Sequence, residues 1–300
     1  MFYITSLSEF CKSNAIDDAK RNEGLVTPAG IERFDDILYG EDKERNVLDV
    51  YRPKNCDGKL PVIVSIHGGG WVYGNKEIMQ FYCMSLAEKG FCVVNFSYRL
   101  APKYKHPTPL EDANKIFYWV MENADTYGFD TDNIFAVGDS VGANILGLYC
   151  CLCTNPAYAK KMSIRTPEGF VPRAVALNSG LYRLVRGEEL LLDSLAEAYF
   201  PDGGTDIEYA EIELAKYVTA DFPPSFVMTA LGDFLCKQAK PFYEHLKSLG
   251  AESEYHCYGN SENELKHVFH IDIKLSEARV CNSDECEFFL KRVTAKEKKV

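Results

Sequence analysis

Two apolar runs constrain the fold of this chain more than any other feature of its sequence: PVIVSIHGG at 61–69 and FCVVNFSYR at 91–99. A strand with one face in water alternates apolar and polar residues, whereas a strand of a parallel sheet is covered on both faces and is apolar almost throughout. Comparable runs recur at 133–140 (NIFAVGDS), 173–180 (RAVALNSG) and 225–233 (SFVMTALGD), with helical periodicity between them. The pattern predicts an α/β fold with a mostly parallel sheet, whose chemistry lies just beyond the carboxyl ends of the strands.

The remaining segments predict the elements around this sheet. Residues 7–22 have the spacing of an amphipathic covering helix, and FDDILYG and NVLDVYRP indicate an antiparallel hairpin across the charged turn EDKER. Further elements are expected as helices at about 110–127, 141–153, 236–250 and 273–293, and as a last strand at 252–259.

The domain organisation follows from one irregular stretch. Residues 181–222 are helical in character but are interrupted by Pro201, Gly203 and Gly204, which favours an inserted cap. We therefore expect a single domain over residues 1–300, with a small helical cap formed by about 1–30 and about 181–222. The tail TAKEKKV is expected to be a solvated basic end.

Charge and cysteine content limit the partners of the protein. A formal net charge of -11 argues against binding to nucleic acid or to an anionic membrane, because both repel an acidic surface. A small molecule is the favoured partner, and a homodimer stays open. No apolar run is long enough for a membrane span, and the N-terminal stretch lacks the basic region of a signal peptide. The chain has eleven cysteines, an odd number that cannot pair completely. Together with the lack of a readable signal peptide, this number predicts reduced thiols and a cytoplasmic location.

The tightest cysteine group, Cys150, Cys151 and Cys153, falls on a predicted helix. Zinc binding would require a second ligand pair at a recognised spacing, and the pattern C-C-x-C has none. We expect small core residues here, and neither a metal nor a cofactor.

The first candidate for chemistry is Ser140, which lies between Gly138 and Gly142 in GDSVG. It closes a predicted strand and opens a predicted helix, which is the context that the G-x-S-x-G motif requires. A nucleophile at such a sharp turn needs small residues two positions before and after it, and glycine meets that demand. The alternative is a tight turn with an incidental serine, and the motif alone does not choose between the two.

A serine nucleophile requires a base and a carboxylate that orients the base. Asp233 directly follows the strand SFVMTALG, and His267 lies between the last strand and the closing helix, which are the expected positions in the order Ser, Asp, His. Asp233 could instead cap the next helix. His270, three residues after His267, is a rival base, although we favour His267.

A third requirement is a set of donors for a developing oxyanion, and HGGGW at 67–71 follows the strand PVIVSI directly. Glycines let backbone N–H groups point into a site, so Gly69 and Gly70 are candidate donors, joined by Val141 at a helix N-terminus. A phosphate-binding loop is disfavoured because the G-x-x-x-x-G-K-[ST] spacing is absent. Candidate pocket residues are Trp71, Tyr73, Tyr199 and Phe200, for which core or cap packing is the alternative.

Taken in order, HGGGW, YRLAP, GDSVG, GDFL and HVF make the chain resemble the hormone-sensitive-lipase-like branch of the α/β-hydrolase esterases, over roughly residues 35–290. The resemblance implies an eight-stranded sheet flanked by helices, and hydrolysis of short-acyl carboxylic esters without a cofactor. It also implies that Ser140 is the nucleophile, Asp233 the acid, His267 the base and Gly68 to Gly70 the oxyanion loop. Three positions depart from the usual pattern of the family: Val141 in place of alanine, Phe234 in place of proline and Val268 in place of glycine.

The favoured function is therefore a serine carboxylesterase that acts on acetyl-type esters through an acyl-enzyme. Deacetylation of acetylated sugars and formamide hydrolysis are alternatives that the sequence does not separate. A non-enzymatic ligand receptor on the same fold would predict a broken triad, and a lipase acting at a lipid surface would predict a long apolar lid; neither pattern is present.

Overall fold

The computed structural model describes residues 6–294 and contains, within them, one eight-stranded sheet in the order β1-β2-β4-β3-β5-β6-β7-β8. The strands are β1 Ile31–Leu38, β2 Val47–Pro53, β3 Leu60–Ile66, β4 Cys92–Phe96, β5 Phe129–Asp139, β6 Val175–Asn178, β7 Ser225–Ala230 and β8 Ser253–Tyr258. The pairs β1–β2 and β2–β4 are antiparallel, and the other pairs are parallel. The expected mostly parallel sheet and its hairpin are confirmed.

Helices separate the strands. They are α1 Leu7–Asn22, α2 Lys76–Ala87, α3 Thr108–Glu122, α4 Ala124–Tyr127, α5 Val141–Thr154, α6 Pro156–Met162, α7 Leu190–Tyr199, α8 Asp206–Glu211, α9 Cys236–Ser248 and α10 Ser276–Leu290. Short 3₁₀ turns occupy Leu214–Lys216 and Phe269–Ile271.

The helices differ from the sequence prediction in three main respects. The single helix expected at about 110–127 is two helices, α3 and α4, and left-handed Gly128 ends the second. The short helix α6 was not predicted; it begins because the Asn155 side chain accepts hydrogen bonds from the N–H groups of Ala157 and Tyr158, both at 3.1 Å. The closing helix begins at Ser276 rather than near 273, after the 3₁₀ turn.

Burial on both faces of the sheet explains the unbroken apolar runs. Along β3, Val62 and Val64 pack in the core layer on one side of the sheet, while Ile63 packs in the layer on the other side. Alternate residues of a strand point to opposite faces, so a strand covered twice has no position that favours a polar side chain for solvation.

Two segments outside the sheet approach the HGGGW loop. Tyr199, at the end of α7, stacks on Trp71 with ring centroids 4.4 Å apart and planes 2° apart. From α1, Asp18 accepts a 2.6 Å hydrogen bond from the Tyr73 hydroxyl. The N-terminal helix and the segment 181–222, called the insert segment below, therefore both contact the loop that follows β3.

Cys150 and Cys151 are fully buried on α5, as expected for core residues, and Cys153 is half-buried beside them. Across residues 6–294, no group of three or more His, Cys, Asp and Glu side chains is arranged to hold a metal ion. None of the helices described combines the length and apolar character needed to cross a membrane. The predicted basic tail falls almost entirely in 295–300, outside the described residues, and the start of the N-terminal stretch, 1–5, also lies outside them.

Candidate active site

Ser140 occupies a strained turn between β5 and α5. Its φ and ψ angles are 55° and -120°, a conformation that is costly for a residue with a side chain. Its N–H donates to the carbonyl of Asn178 at 2.9 Å, and its carbonyl accepts from the N–H of Leu181 at 3.1 Å. These two bonds to the end of β6 hold the turn in place.

The glycines on either side of Ser140 are required by close backbone approach. A Cβ on Gly138 would lie 2.5 Å from the carbonyl oxygen of Gly142, and a Cβ on Gly142 would lie 2.7 Å from the carbonyl oxygen of His67. Both distances are well below an ordinary contact, so any larger residue would force strand and helix apart. Such close approach around a strained serine is the geometry that a nucleophile elbow requires, and the turn at Ser140 is called the elbow below.

The HGGGW loop is fastened to this elbow. The N–H of Gly68 donates to the Asp139 carboxylate at 3.1 Å, and the Tyr98 hydroxyl donates to the carbonyl of His67 at 3.0 Å. Gly69 and Gly70 have φ angles of 107° and 62°, which glycine adopts without strain.

The candidate oxyanion donors make no hydrogen bond to the described part of the protein. Within residues 6–294, the N–H groups of Gly69, Gly70 and Val141 have no hydrogen-bond acceptor, whereas that of Gly68 is used by Asp139. Val141 is the first residue of α5, where the helix dipole adds to the attraction for an anion. The N–H groups predicted to stabilise an oxyanion therefore have no partner within the described residues.

Asp233 and His267 form a close pair. The imidazole Nδ1 of His267 lies 2.7 Å from the Asp233 carboxylate, which also accepts from the N–H of Leu235 at 2.8 Å and from the Thr229 hydroxyl at 3.2 Å. Burial raises the pKa of Asp233, but the hydrogen bond and charge of His267 outweigh it, so the pKa lies below its ordinary value. The Asp233 side chain is fully buried, while 21% of the His267 side chain is exposed. A buried carboxylate therefore orients a partly accessible imidazole.

His270 has a different environment. It is fully buried, lies edge-on to Tyr82 at 5.1 Å, and neither of its ring nitrogens has a hydrogen-bond partner within the described residues. Burial lowers its pKa to about 3, so the ring is neutral. The carboxylate of Asp233 is paired with His267 and not with this rival.

His267 lies in the neighbourhood of Ser140. The N–H of Val268, the next residue, bonds the Ser179 side chain, and the carbonyl before Ser179 accepts the N–H of Ser140. Burial raises the pKa of Asp139, the residue before Ser140, to about 7, and the charge of His267 opposes this shift. His267 therefore lies within electrostatic range of the elbow. Neither the Ser140 hydroxyl nor His267 Nε2 has a hydrogen-bond partner among residues 6–294. A hydrogen bond between a serine nucleophile and its base is often long without substrate, so its absence here does not contradict the roles expected from the sequence.

Comparison with known proteins identifies the family. A family model described as alpha/beta hydrolase fold matches residues 63–271, which include the glycine loop, the elbow, Asp233 and His267. The chain belongs to the α/β-hydrolase fold family. The resemblance to hormone-sensitive-lipase-like esterases is thereby confirmed at the level of family.

Several relatives of this α/β-hydrolase are named as esterases. It is 29% identical over 243 residues to the isoprenylcysteine alpha-carbonyl methylesterase of Arabidopsis thaliana, covering 76% of this chain and 56% of the relative. It is 38% identical over 94 residues to the versiconal hemiacetal acetate esterase of Dothistroma septosporum, covering 31% of this chain and 29% of the relative. The chain spans about half the length of several curated relatives that it matches.

A solved structure supports the fold over 95% of this chain. Esterase B from Lactobacillus rhamnosis superimposes with a TM-score of 0.85 at 21% identity, covering 95% of this chain and 94% of that protein. At this identity the similarity establishes the fold alone.

Three of the four aromatic residues predicted to line the pocket of this α/β-hydrolase are buried. Trp71, Tyr199 and Phe200 are at most 1% exposed and are packed together, and the Tyr199 hydroxyl lies 3.1 Å from His106 Nδ1. They occupy the packing role that the sequence left open, because the insert segment brings Tyr199 face to face with Trp71. Tyr73 is half-buried and bonded to Asp18, beside the glycine loop.

Three residues at the site were not selected from sequence. Leu195 of α7 lies over Gly70, since a Cβ there would come within 2.7 Å of its Cδ1. Phe234, which is 49% exposed, packs against the His267 ring with centroids 4.5 Å apart. Ser179 directly follows β6, and its hydroxyl accepts a 3.2 Å hydrogen bond from the N–H of Val268. The position of Ser179 after a central strand was the one available signal.

Proposed function

We propose that this α/β-hydrolase is a serine carboxylesterase that cleaves small esters with short, acetyl-type acyl groups. The observation that carries the proposal is the 2.7 Å pair of Asp233 and His267 at the sheet edge where Ser140 occupies its strained turn. An incidental serine would require neither the close glycine contacts nor a buried carboxylate aimed at a nearby imidazole.

The proposed reaction begins when Ser140 Oγ attacks the ester carbonyl while His267 Nε2 accepts its proton. Asp233 holds the imidazole in the reactive orientation and stabilises the imidazolium that forms. The tetrahedral oxyanion accepts hydrogen bonds from the free N–H groups of Gly69, Gly70 and Val141. His267 then returns the proton to the leaving alcohol, and an acyl-enzyme remains on Ser140.

Hydrolysis of the acyl-enzyme repeats these roles with water as the nucleophile. His267 accepts a proton from the water, and the same donors stabilise the second tetrahedral intermediate. When the intermediate collapses, His267 protonates Ser140 and the free carboxylic acid leaves. The proposed cycle needs no cofactor, because each proton moves between groups of this chain, substrate and water.

The preference for a short acyl group is supported by the surroundings of the donors. Leu195 lies over Gly70, and Val141, where the family more often has alanine, is 2% exposed beside Ser140. We propose that the insert segment and the N-terminal helix cap the site and restrict the space for the acyl chain. A relative named as an acetate esterase supports the same class of substrate.

The proposal is tested with p-nitrophenyl esters of acetate, butyrate and octanoate. Ser140→Ala is expected to lower kcat by about 10⁵- to 10⁶-fold, as for other serine nucleophiles. Ser163→Ala is the matched control, because Ser163 has the same φ of 55° but lies at the exposed end of α6. Equal activity of wild type and Ser140→Ala would contradict the mechanism, and faster cleavage of octanoate than of acetate would contradict the short-acyl preference.

The assignment of the base is tested by comparing His267→Ala with His270→Leu, which keeps an apolar contact with Tyr82. Only the first is expected to abolish hydrolysis, since Asp233 is paired with His267. Retained activity in His267→Ala, with folding verified by circular dichroism, would overturn the assignment.

A further inference from the structure

The end of β6 lies among the groups assigned to catalysis. The carbonyl of Asn178, its last residue, accepts the 2.9 Å hydrogen bond from the N–H of Ser140. The next residue, Ser179, is fully buried, and its own N–H donates to the carbonyl of Met228 on β7 at 2.8 Å. Two consecutive residues thus connect the elbow after β5 to the strand that leads to Asp233.

The side chain of Ser179 reaches the two other loops of the site. Its hydroxyl oxygen accepts a 3.2 Å hydrogen bond from the N–H of Val268, the residue after His267. The same side chain is close enough to Asp233 to contribute to holding the pKa of that carboxyl below its ordinary value. Ser179 therefore bonds the loop that carries His267 and lies near the acid.

Ser179 adopts a backbone conformation that is unfavourable for a residue with a side chain. Its φ of 47° lies in the left-handed region, where a glycine would be unstrained. Since the next residue is Gly180, the chain already has glycine at this turn. The hydroxyl contacts give a physical reason for a side chain at a position where backbone geometry alone favours none.

The turn is also anchored from beneath the sheet edge. The Asn178 side chain donates to the Glu285 carboxylate at 2.6 Å, and the Tyr82 hydroxyl donates to the same carboxylate at 2.8 Å. All three side chains are buried. A group held in this way transmits its position to whatever it contacts, because the surrounding packing leaves it little freedom to move.

We propose that Ser179 is a positioning residue that sets the orientation of the Asp233–His267 pair relative to Ser140, an inference that rests on the proposed function. Its hydroxyl fixes the Val268 N–H, and hence the loop of His267, against the acid. Its neighbour Asn178 fixes the backbone of Ser140. Loss of the hydroxyl leaves all reacting groups present but loosens their mutual alignment.

The test compares Ser179→Ala and Ser179→Gly with Ser225→Ala. Ser225 is an equally buried serine whose hydroxyl donates to the carbonyl of Pro223 at 2.8 Å, at the opposite end of β7. For p-nitrophenyl acetate, both Ser179 variants are expected to lose about 10- to 100-fold in kcat with KM nearly unchanged, because misalignment of catalytic groups slows chemistry more than binding. Ser225→Ala is expected to keep its kcat.

The glycine variant separates the hydroxyl from the backbone. Ser179→Gly relieves the left-handed strain and should be more stable to heat than Ser179→Ala, yet equally slow. Recovery of wild-type kcat in Ser179→Gly would overturn the proposal, as would an equal loss of kcat in Ser225→Ala.

A readout independent of activity distinguishes this inference from the proposed function. The proton shared by His267 Nδ1 and Asp233 gives a low-field proton resonance in NMR spectra, which should shift or broaden in Ser179→Ala and stay unchanged in Ser225→Ala. An unchanged resonance in Ser179→Ala would refute the positioning role. Absence of esterase activity in the wild type would refute the proposed function, while the resonance would still decide the role of Ser179.

Discussion

Substitution of Gly69 by alanine tests whether the HGGGW loop supplies the oxyanion donors. A Cβ on Gly69 would lie 2.7 Å from the carbonyl carbon of Tyr73 and closer still to its oxygen. Ordinary carbon contacts begin at about 3.5 Å, so the loop must open by about 1 Å. The carbonyl belongs to the backbone, and Tyr73 is held by its own N–H bond to the Gly69 carbonyl at 3.0 Å. The N–H groups of Gly69 and Gly70 are therefore the groups that are displaced.

The magnitude follows from what such a displacement does to catalysis. Removing one oxyanion donor costs about 10²- to 10³-fold in kcat, and a misplacement of about 1 Å costs about 10²-fold. We expect Gly69→Ala to lower kcat/KM for p-nitrophenyl acetate by about 10²- to 10³-fold. The loss should appear mainly in kcat, because the donors bind the transition state more strongly than the substrate.

A matched control separates the collision from the backbone strain. Gly90 has a φ of 99°, close to the 107° of Gly69, but a Cβ there would meet nothing within 4 Å. Both alanine variants carry a left-handed penalty of about 1–2 kcal/mol, measurable by urea unfolding. Only Gly69→Ala should lose activity. More than a tenth of wild-type kcat/KM in a folded Gly69→Ala, or an equal loss in Gly90→Ala, would refute the reasoning.

Three further predictions follow from other contacts. Asp233→Asn is expected to lower kcat by about 10⁴-fold, since an amide no longer holds His267 in the reactive tautomer; steady-state kinetics showing less than a tenfold loss would contradict this. Tyr199→Ala is expected to lower the free energy of unfolding by about 3–5 kcal/mol in urea denaturation, because it empties the buried stack on Trp71; a fully stable variant with altered KM would instead indicate a substrate-facing role. Burial raises the pKa of Glu285 to about 7, so its contribution to stability is present at low pH and is lost as the pH rises through that value. Between about pH 5 and about pH 8, the free energy of unfolding in urea should fall more for wild type than for Glu285→Gln. Equal falls would refute the raised pKa of Glu285.

The sheet was largely predictable because its strands are buried on both faces. Val62, Ile63 and Val64 are all fully buried, so the central part of β3 is apolar on both faces of the sheet. The split between α3 and α4 and the extra helix α6 were not visible, since short helices depend on local caps such as the Asn155 side chain.

Within the candidate site, residues set by a local sequence pattern could be predicted, whereas residues set by tertiary packing could not. Ser140 was recognisable because its turn needs glycines at fixed sequence offsets: Gly138 closely approaches the backbone of Gly142, and Gly142 closely approaches the backbone at the end of β3. The choice between His267 and His270 was different, because three residues along a loop separate a partly exposed ring bonded to Asp233 from a fully buried one. Only the packing of the loop shows which ring faces the acid.

The sequence by itself determined the elements, their alternation and the strand ends at which chemistry is placed, because periodicity and glycine spacing are local properties of the chain. The tertiary structure alone decided that Trp71 and Tyr199 are stacked in the interior and that the Ser179 hydroxyl bonds the N–H of Val268. These contacts join residues far apart in the chain, and no local pattern specifies which buried side chains meet. Packing at the sheet edge decides which of the available polar groups face one another.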